Sequence, residues 1–151
     1  MNDSHDTSDT HIGKLRENSH TGAHGRNLEF TQGTASLEGH THAMASVVSL
    51  RVSLHPDTST EFDALVSSLE ALARDIECEG GVVGHIKALA SCEAGSVRIS
   101  IVDACRPALV RGPAPAALND EACLDIAVIA LAIDLDLLIG LVCEAMKCTL
   151  G

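Results

Sequence analysis

Over residues 44–54 the chain alternates position by position: Val48, Leu50, Val52 and Leu54 are apolar, and Ser49, Arg51 and Ser53 between them are polar. Successive side chains of an extended backbone point to opposite sides, so this pattern specifies a strand with one buried and one wet face. A chain with such a strand must supply a sheet and an apolar layer to cover one side of it. That layer has to be aliphatic, because the sequence has no Trp or Tyr and only Phe30 and Phe62 as aromatics.

The downstream sequence offers the cover. His55-Pro56-Asp57 interrupts the strand, and Thr58-Ser-Thr-Glu61 has the form of a capping box. Phe62, Leu65, Leu69, Leu72 and Ile76 then recur at helical spacing, which predicts a helix over 59–78 ended by Gly80-Gly81. Apolar runs over 82–90 and 97–102, joined by Cys92-Glu-Ala-Gly95, predict a β-hairpin in which Arg98 and Ser100 face away from Val97, Ile99 and Ile101. Residues 106–116 carry three of the four prolines and read as an irregular connector.

From Asn119-Asp-Glu, an N-cap followed by acids, the residues Leu124, Val128, Leu131, Leu135, Leu138, Val142 and Ala145 keep a 4-3 spacing that predicts a helix over 119–146. The other partition makes 125–133 a fourth strand and 134–147 a shorter helix, since Ile and Val are dense there. As one helix the segment is apolar on its second side too, at Ile126, Ile129, Ile133 and Leu137, which predicts a homo-oligomer that covers it. The expected fold is α+β: a single βαββα(β) ferredoxin-like split sheet over 44–148 with helices on one face, preceded by a polar tail over 1–43 whose composition predicts disorder.

That tail holds six of the eight histidines: His5, His11, His20, His24, His40 and His42. In Glu38-Gly-His40-Thr-His42 the two imidazoles stand at i and i+2, on one side of an extended chain, where a divalent Zn or Ni ion can be chelated. A third donor would come from Glu38, another tail histidine or His85, which gives a metal-binding reading, a metallochaperone or storage protein. Met44 is an alternative start that would leave these histidines outside the protein.

A formal charge of −11 repels nucleic acid and anionic bilayers, and the missing aromatics remove the stacking platforms of single-strand binders. A membrane span is disfavoured by Asp134 and Asp136, each costing about 3 kcal/mol at mid-bilayer. The first residues lack the basic start and apolar run of a secretory signal, so the expected location is cytoplasmic, with the six cysteines reduced and, lacking any C-x-x-C, unsuited to a zinc ribbon. Gly80-Gly81-Val-Val-Gly84 leads into a strand and not a helix, so it is a turn and not a nucleotide loop.

The outward sheet face is the main binding candidate. Ser49, Arg51 and Ser53, then His85 and Lys87, then Arg98 and Ser100 are expected to project together, a basic and hydroxyl-rich face suited to a small anionic ligand or an acidic protein partner. The expected function is a small non-enzymatic accessory or regulatory protein using that face. The enzyme alternative places Cys105, after Asp103 and before Arg106, beside His85 as nucleophile and base.

Overall fold

In the computed structural model, which describes residues 24–151, the alternating segment is the third of nine strands among the described residues. The order is β1 (His24–Glu29), β2 (Gly33–His42), β3 (Ala45–Leu54), β4 (Ser59–Glu61), α1 (Phe62–Cys78), β5 (Val82–Cys92), β6 (Gly95–Ile101), β7 (Leu109–Arg111), β8 (Ala117–Asn119), β9 (Cys123–Leu131) and α2 (Leu135–Leu150). Seven strands form one sheet in the order β1-β2-β3-β9-β5-β6-β7, with every neighbouring pair antiparallel, while β4 and β8 make a separate two-stranded ribbon. Strand β9 therefore lies between β3 and β5, which run parallel to each other and are joined through α1.

This overturns the expected ferredoxin-like βαββα(β) split sheet in two places. Residues 24–42, assigned to a disordered tail, form β1 and β2, and residues 1–23 lie outside the described residues. In β2 the inward positions are Gly33, Ala35, Leu37 and Gly39, so small side chains carry the buried half of the alternation. The predicted helix over 119–146 is instead β9 followed by α2, because Leu124, Ile126, Val128 and Ala130 are buried in strand alternation. The break falls at Ala132, whose φ of 55° turns the chain, and Asp134 then caps α2 by accepting from the amides of Asp136 (2.9 Å) and Leu137 (3.4 Å).

The expected capping box is also absent. Ser59–Glu61 is a strand, α1 starts at Phe62, and Glu61 at its N-cap makes no side-chain cap bond. The C-terminus of α1 does end at the glycines. Gly80, at φ 85°, donates to the Glu77 carbonyl and Gly81 to that of Ile76, each at 3.0 Å, which closes the last turn in a Schellman arrangement.

Both helices lie on one side of the sheet, over an aliphatic core. Leu65, Leu69, Leu72 and Ile76 from α1 and Leu138, Ile139, Val142 and Met146 from α2 meet Leu37, Val48, Leu50, Ile86, Ile99, Ile126 and Val128 from the sheet. Helix α2 approaches β2 so closely that a Cβ on Gly39 would stand 2.9 Å from the Ile139 Cδ1. The chain end is fastened to the β1–β2 turn, where the amides of Thr31 and Gln32 donate to the carbonyls of Gly151 and Leu150 at 2.9 Å each. No helix among the described residues is long and apolar enough to cross a membrane.

Because Leu37 is fully buried, β2 belongs to the core and not to a tail. Leu37→Ala is expected to lower the free energy of unfolding by about 2–5 kcal/mol in denaturant titrations, as for other enclosed Leu→Ala changes. A cost near zero would show that β2 is not docked.

Candidate functional site

The helices cover one side of the sheet and leave the other open, and the ladder fixes what that open side presents. Its middle row runs Ser36, Arg51, Asp125, Leu89, Arg98 and Arg111, from β2 to β7. The next row runs Glu38, Ser49, Ala127, Lys87, Ser100 and Leu109 over the same strands. A third row, on the four central strands, holds His40, Val47, Ile129 and His85, and a fourth holds His42, Ala45, Leu131 and Val82. The first two rows line a broad hollow of about 990 Å³. Its floor is low because Ser36, Ser49 and Ala127 are small.

The expected face residues Ser49, Arg51, His85, Lys87, Arg98 and Ser100 all line this hollow. They do not form one uniform basic surface. Arg51 is engaged by Asp125 on the adjacent strand, Nε to Oδ1 at 2.7 Å with a second contact at 3.4 Å, and the hydrogen bond and charge of Asp125 raise the Arg51 pKa. Lys87, Arg98 and Arg111 have no ion-pair partner among the described residues. The cationic centre of gravity therefore sits at the β5-β6-β7 side, with Arg98 directly opposite Arg111.

Asp125 and Arg111 escaped the sequence reading. Asp125 has no sheet face in the 119–146 helix and is only the first residue of the strand in the other partition, while Arg111 falls in the irregular connector. Seen as strands, Cys123–Leu131 alternates in burial as β3 does, and that alternation was the available signal. Strand β7 has no such pattern, because all three of its residues are exposed.

His85 Nε2 lies 2.8 Å from Ser100 Oγ on the paired strand. Partial burial, and secondarily the charge of Lys87, lower the His85 pKa from its ordinary value. In the tautomer with Nε2 protonated, His85 donates to Ser100 Oγ and leaves the Ser100 hydroxyl proton to be donated to a ligand. No carboxylate among the described residues holds the other ring nitrogen, so the pair lacks the third group that orients a general base. Cys105 is exposed in the turn after β6, with its amide bonded to Asp103 Oδ1 at 2.8 Å, and the nearest functional partner of His85 is Ser100 and not this thiol.

His40 and His42 share the open side of β2, both exposed, beyond the end of β1. His85 stands in the same row as His40 but three strands away, about 14 Å at a spacing of about 4.8 Å per strand. That is too far to share an ion. No three His, Cys, Asp or Glu side chains among the described residues converge as metal ligands, so the donors present amount to a two-histidine chelate. The remaining tail histidines that precede His24 lie outside the described residues.

Comparison with protein-family models, curated proteins and solved structures finds nothing that matches this chain. The face must therefore be interpreted from its own chemistry.

A histidine whose pKa is lower folded than unfolded binds its proton more readily when unfolded. Its contribution to stability is constant above the unfolded value of about 6.5 and is lost as pH falls through and below it. His85→Gln is expected to melt with a shallower decline in Tm than wild type on acidification below about pH 6.5, with the two parallel above it. Parallel profiles throughout would remove the shifted histidine from the account.

Proposed function

We propose that this protein is a small accessory or regulatory protein that binds a small anionic ligand on the open sheet face, at the corner of Lys87, Arg98, Arg111 and Ser100. The observation that supports this is the juxtaposition of Arg98 and Arg111 across β6 and β7, with Lys87 diagonal to Arg98 on β5. Like charges directly opposite in a ladder destabilise it. The nearest acid of the same row, Asp125, is already bonded to Arg51.

A carboxylate or phosphate at this corner replaces repulsion with charge-assisted hydrogen bonds. The two guanidinium groups offer planar forks of donors, the ammonium a third charge, and the Ser100 hydroxyl an orientable bond set by His85. Leu89 and Leu109, in the same hollow, provide apolar surface beside the charges, so a ligand with an anionic head and an apolar body is favoured over a bare ion.

Calorimetric titration with inorganic pyrophosphate and with citrate tests the corner. Saturable binding that weakens at least about tenfold in Arg98→Ala and in Arg111→Ala, and falls steeply with added salt, is the expected result. Absence of saturable heat with both probes, or binding untouched by both substitutions, sinks the proposal.

A further inference from the structure

The open face carries a second pattern, which shares Lys87 with the anion corner, in the four central strands β2, β3, β9 and β5. We propose that a second copy of this chain packs its own open face on these strands, about a two-fold axis lying between the sheets, parallel to the strands and midway between β3 and β9. Such a rotation keeps each residue in its row and exchanges β2 with β5 and β3 with β9. The rows read from the ladder then state what meets what.

In the middle row Arg51 meets Asp125 of the second copy and Asp125 meets its Arg51, so the ion pair within each chain is extended to four alternating charges. In the next row Glu38 meets Lys87 of the second copy, twice by symmetry, and Ser49 meets Ala127. Neither Glu38 nor Lys87 has an ion-pair partner among the described residues of its own chain. In the third row Val47 meets Ile129 at the axis, and in the fourth Ala45 meets Leu131. Ile129 and Leu131 are 38% and 41% exposed, large aliphatic side chains that gain by being covered. The third row also sets His40 on His85 of the second copy and the fourth sets His42 on Val82, so no row opposes two carboxylates or two Lys or Arg side chains.

An isologous interface requires a surface complementary to itself, and this one sets the Arg51–Asp125 pairs and, further along the same strands, the apolar contacts beside the axis, with a Glu38–Lys87 pair on each flank. The low floor at Ser49 and Ala127 gives the long Glu38 and Lys87 side chains room to span the gap. The same rotation exchanges β1 with β6 and brings Asn27 and Gly25 of the second copy over Arg98 and Ser100, so only Arg111 on β7 stays uncovered at each rim, and dimerisation competes with anion binding at the corner. The acidic outer faces of the helices, with Asp63, Asp75 and Glu77 on α1 and Glu79 at its C-cap, do not offer a comparable self-complementary pattern.

The test uses the full chain. Light scattering is expected to give twice the chain mass at high protein concentration. Carbodiimide treatment of a mixture of unlabelled and isotope-labelled chains is expected to yield a mixed-label link between Glu38 and Lys87. Within one chain these two stand three strands apart, about 14 Å, beyond a zero-length link. Glu38→Lys and Lys87→Glu should each raise the dimer Kd at least about tenfold, because each sets like charges opposite twice, and the combined swap should return it to within about threefold of wild type.

A monomer mass at every concentration, a Glu38–Lys87 link found only between peptides of one label, or single reversals that leave the Kd unchanged would each overturn the interface. Glu38→Lys leaves the anion corner intact. Pyrophosphate binding by a wild-type protein that stays monomeric at every concentration therefore rejects the dimer alone, and absence of pyrophosphate binding from the monomeric Glu38→Lys protein rejects the anion corner alone.

Discussion

Everything else in this fold depends on the double pairing of β9. Its backbone is bonded to β3 along one edge and to β5 along the other, and without it the sheet separates into a β1-β2-β3 meander and a β5-β6-β7 meander. Each would present an edge of unpaired amides and carbonyls, which costs free energy when the flanking side chains are buried. The pairing is long-range, so its formation has to offset a large loop-closure entropy. What offsets it is the burial of Leu124, Ile126, Val128 and Ala130 beneath both helices. The same strand delivers α2, because the turn at Ala132 and the cap at Asp134 send the chain straight back over β3 and β2, and Ser46 Oγ fastens that turn by donating to the Ile133 carbonyl at 2.8 Å.

The strands and helices that could be read from sequence were those whose buried and exposed residues differ strongly in chemistry. In β3 the alternation of Val and Leu with Ser and Arg is unambiguous, and in α1 the apolar residues at helical spacing are large. The hairpin β5-β6 was legible from its two apolar runs and the Gly95 turn. Strand β2 was hidden because its inward residues include Gly33, Ala35 and Gly39, which do not register as hydrophobic, although Gly39 is small for a reason: Ile139 occupies the space a side chain would need. The β9–α2 boundary was hidden for the opposite reason. Ile129, Leu131, Leu135 and Leu137 are apolar and partly exposed, so both periods fit, and the residue that breaks the chain is an alanine at positive φ, where glycine or asparagine would have advertised the turn.

The same contrast governs the site. Placing Ser49, Arg51, Lys87, Arg98 and Ser100 on one face needed only strand alternation in three strands, and the structure places them there. Which of them are free to bind needed the register of two more strands, β9 and β7. Asp125 stands directly opposite Arg51 and removes it from the set of available cations, while Arg111 stands directly opposite Arg98 and enlarges that set. Register is a tertiary property, set by how β9 enters between β3 and β5 and how β7 docks on β6, and no local pattern in the chain specifies it.

A net charge of −11 repels anions from the molecule as a whole, but distance decides what a ligand on the open face experiences. The acids of α1 and α2, such as Asp75, Glu77 and Glu144, are exposed on the far side of the helix layer, on the order of 10 Å or more from the open face. At physiological ionic strength the screening length is about 8 Å, so a ligand inside the hollow experiences those carboxylates only weakly. Within one strand spacing, by contrast, Arg98, Arg111 and Lys87 act together on whatever lies between them. The overall acidity then keeps the helical surface from attracting polyanions, and the free cations of the open face are clustered at a single corner, where the proposed anion would sit. Composition describes the sum of charges; the antiparallel register determines where the sum changes sign.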